Sequence, residues 1–136
     1  MNQALVDSMR TYLQAGLAMD VDQLDQLYDP EFENVRVDES GQTITLTKAQ
    51  FMARFRALRE QGQSVGESID DITFPATTDF GDHAAIIMRR VENDVPALYT
   101  FIWRMDEGQP TTILREITFD KDISYLLKMV RSAKDA

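Results

Sequence analysis

Cysteine is absent from this 136-residue chain, which excludes a disulfide framework, a thiolate metal site and a cysteine nucleophile together. Basic residues are scarce: 14 lysines and arginines stand against 23 aspartates and glutamates, leaving a net charge of −9. Nucleic-acid binding requires the opposite sign, so no nucleic-acid partner is expected. The acidic excess is concentrated between Asp20 and Glu39, where Arg36 is the only base, and it reads as a solvated face. No apolar run approaches membrane-spanning length, so no membrane partner is expected. The N-terminal residues lack a basic start followed by an apolar core, so no signal peptide is expected and the cytoplasm is the expected location. Repeats, linkers and low-complexity tracts are missing as well.

What remains is a globular composition, 43% apolar and 27% charged, in a chain long enough for one domain spanning 1–136 with its own core. Leu5, Val6, Met9, Tyr12, Leu13 and Leu17 recur at helical spacing and predict an amphipathic first helix. Gly16 interrupts its apolar face, which suggests close approach of another element or simple tolerance. Asp20 with Gln23 resembles a capping box and predicts a short second helix with Val21, Leu24, Leu27 and Tyr28 inward, ended by Asp29-Pro30. Phe32 to Val37 and Thr43 to Leu46 read as strands. Thr47 with Gln50 starts a third helix whose core stripe is Phe51, Met52, Phe55 and Leu58. Arg54, Arg56 and Arg59 fall mostly off that stripe and read as solvated.

From Val65 the period changes to that of strands. Val65 to Phe74 reads as one, with a bulge where Ile69 to Ile72 breaks alternation. Asp79 to Asp82 reads as a turn, Ala84 to Glu92 as a strand and Asn93-Asp94 as another turn. The stretch Leu98 to Phe119 reads as a hairpin whose loop, Asp106 to Pro110, has several residues. Lys121 onward reads as a short helix. Helices early and an antiparallel meander late define an α+β fold, a cone-shaped barrel with three N-terminal helices packed on a curved, mostly antiparallel sheet and a short C-terminal helix. A cavity is expected between the helices and the concave face.

Several stretches together resemble the nuclear-transport-factor-two-like superfamily, which includes SnoaL-like and ketosteroid-isomerase-like proteins. They are Tyr12-Leu13-Gln14-Ala15, Asp20 to Leu24, Leu27 to Phe32, Thr47 to Phe51, Gly81 to Ala84, and Phe101-Ile102-Trp103-Arg104. The resemblance covers residues 4 to 119. It implies a conical pocket, and strand alternation assigns the wall. With Trp103 inward, Tyr99, Phe101 and Met105 follow, and family hairpins imply Leu114, Glu116 and Thr118 beside them. Ile86, Met88 and Arg90 come from the preceding strand, and Met9 and Tyr12 from the first helix. The opposite parity holds Ile87, Ile102, Ile113, Ile117 and Phe119, with Arg89, Arg104 and Arg115 among them, an outer face apolar enough to want a partner. Family members often dimerise there, which implies a homodimer.

Tyr12 matches the family's hydrogen-bonding tyrosine, able to donate to a developing oxyanion; the alternative is a core aromatic. The isomerase acids are not matched: the general-base position falls near Arg36, with Asp38 reached only by a shift, and the oxyanion-stabilising acid falls near Phe101. Glu116 and Arg90 are expected together inside, as acid or base with its partner or as a structural ion pair. The single histidine, His83, lies in a turn entering a strand, a solvated position. Asp20, Asp22 and Asp25 lack the glycine and glutamate of a calcium loop, and no metal or cofactor is expected. These residues favour a small-molecule-binding domain for an apolar or amphipathic ligand. The competing readings are a cyclase, dehydratase or isomerase using Tyr12 and Glu116, and a protein-interaction or dimerisation module.

Overall fold

Asn2, Asp20 and Thr47 each start a helix by accepting a backbone N–H on the side chain, at the N-termini of α1 (Gln3–Leu17), α2 (Val21–Leu27) and α3 (Lys48–Glu60). At Thr47 the reciprocal bond from Gln50 completes a capping box. The computed structural model describes residues 1–66, 68–92 and 94–135, with backbone alone at Glu92 and 132–135. Its strands are β1 (Tyr28–Asp38), β2 (Thr43–Thr47), β3 (Thr73–Phe80), β4 (His83–Glu92), β5 (Val95–Asp106) and β6 (Gln109–Asp120), followed by α4 (Ser124–Asp135). They form one open sheet in the order β2-β1-β6-β5-β4-β3. Only the β1–β6 pair is parallel, a placement that a crossover through α3 and the meander makes available. Helices α1 to α3 cover the concave face, with Leu5, Met9, Leu24 and Met52 almost fully buried against Ile86, Phe101 and Trp103. Each such side chain contributes about 1.5–3 kcal/mol by leaving water.

Four sequence expectations are corrected. Tyr28 is not in the stripe of α2, and Asp29-Pro30 does not end that helix; Tyr28 is its C-cap and opens β1, fully buried. The Val65 to Phe74 strand does not form; Glu67 lies outside the described residues, and the strand is β3, starting at Thr73. The segment before it is looped because its polar side chains bond nearby backbone: Ser64 Oγ donates to the Gly66 carbonyl at 3.1 Å and Ser68 Oγ accepts from Asp70 N at 3.0 Å. Pro75 is accommodated because β3 is a sheet edge. The β5–β6 loop is only Glu107-Gly108, both with positive φ (50° and 78°), the requirement of a tight two-residue hairpin. Of the expected Asn93-Asp94 turn, Asn93 lies outside the described residues, and Asp94 has a φ of 63°.

The fourth correction bears on the site. Register slips between Ile102 and Trp103, which face Arg115 and Ile113 in turn. The extra residue on β6 is a bulge that reverses parity along one strand. Ile113 therefore points into the core, fully buried, while Glu116 and Thr118 remain inward beyond the bulge. Leu114, expected on the pocket wall, is only half-buried and off it.

Candidate functional site

Between α1, α3 and the sheet lies a cavity of about 260 Å³. One part of its wall is apolar and aromatic, with Leu24, Phe51, Phe55, Met88, Tyr99 and Phe101, and another is charged, with Arg36, Arg54, Arg90 and Glu116. Val65 and Arg54, both exposed, mark the mouth. Gly16 lines the cavity without being required there, because a Cβ would meet Val65 Cγ2 at an ordinary 3.7 Å.

Glu116 is the acid of this lining, 8% exposed. On β1, alternation sends Phe32, Asn34, Arg36 and Asp38 to the concave side, and the parallel register sets Asn34 beside Glu116. Arg36 Nε donates to Asn34 Oδ1 at 2.8 Å, and Asn34 Nδ2 donates to Glu116 Oε2 at 2.9 Å. The arginine thus fixes which way the amide faces, and the amide holds one carboxylate oxygen. Burial raises the Glu116 carboxyl to about 7; the Arg36 charge, the Asn34 bond and the Arg54 charge pull against that rise without cancelling it. Tyr12 faces the same cavity, its hydroxyl 2.6 Å from that of Tyr28. Burial, and then the nearby Glu116 charge, hold the Tyr12 phenol far above its ordinary range, so it stays a neutral hydrogen-bonding group. Phe101 packs edge-on to Tyr12, with ring centroids 5.7 Å apart.

Of the residues expected at a site, Tyr12, Met88, Arg90, Tyr99, Phe101 and Glu116 line this cavity. Met9, Ile86 and Trp103 are fully buried in the core away from it, Trp103 Nε1 donating to Met9 Sδ at 3.3 Å. Arg90 is not the partner of Glu116: its guanidinium donates to the Ser68 carbonyl at 3.2 Å and lies 3.9 Å from Asp71. Asp38 stands outside the cavity. Burial would raise its carboxyl, but bonds from Ile123 N, Ser40 Oγ and Gln42 outweigh that and hold it at about 2. His83 pairs with Asp82 at 2.7 Å, away from the cavity. Asp20 caps α2, and Asp25 pairs with Lys48 at 3.6 Å. Among the described residues, no three His, Asp or Glu side chains are grouped to hold a metal ion. Sequence reasoning gave no role to Asn34 and read Arg54 as solvated and Tyr28 as helical. The parity of β1 was the available signal, since an inward Phe32 implies inward Asn34 and Arg36.

No protein-family model matches the sequence, and no curated protein does. Solved structures do match. An NTF2-like protein of unknown function from Silicibacter pomeroyi aligns at 16% identity over 85% of this chain and 92% of that one, with a TM-score of 0.64. Another of unknown function from Shewanella baltica aligns at 13% identity over 85% and 90%, TM-score 0.62. An NTF2-like protein from Cytophaga hutchinsonii aligns at 17% over 88% and 98%, TM-score 0.56. The chain has the nuclear-transport-factor-two-like fold, an α+β cone with a curved mixed sheet. At these identities the likeness reaches the fold and leaves the activity to the site itself. Among the described residues, no helix is long and apolar enough to cross a membrane.

Proposed function

We propose that the chain is a small-molecule-binding domain, its ligand an amphipathic molecule held in the cavity between α1, α3 and the sheet. The observation that carries this reading is the combination of an apolar aromatic wall with one buried acid, Glu116, held by Asn34 and Arg36. Few convergent polar groups in an apolar recess are the usual composition of a ligand pocket. Saturation-transfer NMR against a library of aromatic fragments tests it. Fragments that bind the wild type should lose their signal in Met88→Trp, which fills the cavity, with the variant's fold checked by circular dichroism. Identical binding profiles in both proteins would sink the proposal.

A second reading, an enzyme of the isomerase, dehydratase or cyclase kind, is favoured by one further observation: Tyr12 and Glu116 face a common cavity. Glu116 would then move a proton near neutral pH, and Tyr12 would donate to a developing oxyanion. The isomerase's general-base and oxyanion-acid positions fall near Arg36 and Phe101, which separates this site from the isomerase arrangement. As for assembly, the reading includes a homodimer through the outer sheet face. Its support is an apolar surface built from half-buried Val35, Ile87, Ile102 and Ile117 with exposed Leu98 and Phe119.

A further inference from the structure

In a chain with 23 acids and 14 bases, three of the four charged side chains that line the cavity among the described residues are arginines. They are not equivalent. Arg36 lies inside, spends Nε on Asn34 and faces Asp120 at 3.7 Å. Arg90 is engaged by Asp71 and the Ser68 carbonyl. Arg54 stands exposed at the mouth on α3, one helical turn after Phe51 and next in sequence to Phe55, both on the apolar wall. Its charge reaches the interior, drawing the Glu116 carboxyl downward. The opposing acid, Glu116, already gives one oxygen to Asn34.

We propose that the ligand is an organic anion, with a ring-sized apolar body against Phe51, Phe55 and Phe101 and a carboxylate held at the mouth by Arg54. The assignment rests on the cavity being a ligand site and adds the charge of its occupant. A guanidinium suits a carboxylate because its planar fork offers parallel donors and is weakly hydrated. Charge-assisted bonds of this kind are stronger than those to a neutral hydroxyl. A cationic ligand would gain from the aromatic faces but would enter past Arg54 and Arg90 and meet Arg36 inside. With Arg36 facing Asp120 and Arg90 facing Asp71, Arg54, which makes no ion pair among the described residues, decides the sign at the mouth.

Three probes sharing one body separate the alternatives: hydrocinnamate, hydrocinnamyl alcohol and hydrocinnamylamine, titrated calorimetrically into the full chain at neutral pH. Hydrocinnamate should bind at least about tenfold more tightly than the alcohol, the factor that about 1.4 kcal/mol supplies, and the amine should bind weakest. Arg54→Gln changes an exposed side chain, so the fold should persist. In that variant the preference for hydrocinnamate should disappear while the alcohol keeps its affinity. Equal binding of the three probes, tightest binding of the amine, or an unchanged preference in Arg54→Gln would overturn the anion assignment and leave a ligand cavity standing. Absence of binding by all three up to millimolar concentration would overturn both.

Discussion

Between pH 4.5 and about 7, Glu116 holds in the fold a proton that it would release in the unfolded chain. Burial raises its carboxyl from 4.5 to about 7, against the counter-pull of Arg36, Asn34 and Arg54. Between those two values the folded state binds more protons than the unfolded state, so stability falls as pH rises. The contribution is fully present below pH 4.5 and lost once pH has risen through about 7, a change of about 3 kcal/mol at 1.36 kcal/mol per unit. Glu116→Gln keeps a side-chain oxygen for Asn34 Nδ2 and cannot ionise. Urea unfolding of both proteins should therefore give a stability difference that is constant in acid and shifts toward the variant between the two values. Parallel pH profiles would mean that Glu116 titrates as an exposed carboxyl. The same residue shows what a sequence can disclose: its inward placement followed from the resemblance to family hairpins, whereas its partner was not legible. Arg90 lay on a neighbouring inward-facing strand, but Asp71, from a segment that reads as strand and folds as loop, took it instead.

At the scale of elements, the helix starts were legible because caps are local: Asp20 and Thr47 with Gln50 act within one turn. The meander was legible from its alternation and turn residues. Two things were hidden, and both are non-local. The β6 bulge at Leu114 and Arg115 exists only relative to β5, so alternation along β6 alone placed Leu114 and Ile113 on the wrong sides. The loop before β3 holds through bonds to Val91 and Arg90 of another strand, as where Asp71 Oδ2 accepts from Val91 N at 2.9 Å. Asp38 supplies a third long-range link, this one between β1 and α4. Its carboxylate accepts from Ile123 N at 3.1 Å, and Ile123 is fully buried at the base of that helix. Because the Asp38 carboxyl is depressed to about 2, the link is intact above its ordinary range and is lost as pH falls toward 2. In Asp38→Ala at neutral pH, amides of Leu126 to Val130 should exchange faster with solvent while those paired between β4 and β5 stay protected. Uniform acceleration across the sheet would mean that Asp38 supports the whole fold rather than the docking of one helix.

For the molecule as a whole, the sheet keeps its apolar core on the concave side at Phe32, Ile86, Phe101, Trp103 and Ile113, but one end of the β1–β6 pair reverses the usual assignment of polar and apolar faces. Along β1 and β6 the concave side carries Asn34, Arg36, Asp38, Glu116 and Thr118, while the convex side carries Val35, Val37, Ile117 and Phe119. Polar groups inside are satisfied in part by one another; apolar groups outside have no such resource. Phe119 is 64% exposed and Leu98 52% exposed; they sit on the adjacent strands β6 and β5, and the face continues through Ile117, Ile102 and Ile87, interspersed with Arg89, Thr100 and Arg115. Covering that face with a second copy would remove it from water at about 25 cal/mol per Å² of apolar area. It would also leave the cavity, on the opposite side of the sheet, free to act. The chain should therefore sediment as a dimer at tens of micromolar. Ile117→Lys, which sets like charges against each other across a two-fold axis near the sheet centre, should shift it to monomer. Far-ultraviolet circular dichroism and hydrocinnamate affinity should be unchanged in that variant, because Ile117 points away from Glu116 and the cavity wall. A wild type that stays monomeric at high concentration would remove the second copy as the partner of this face. A dimer that survives Ile117→Lys would place the interface elsewhere on the cone.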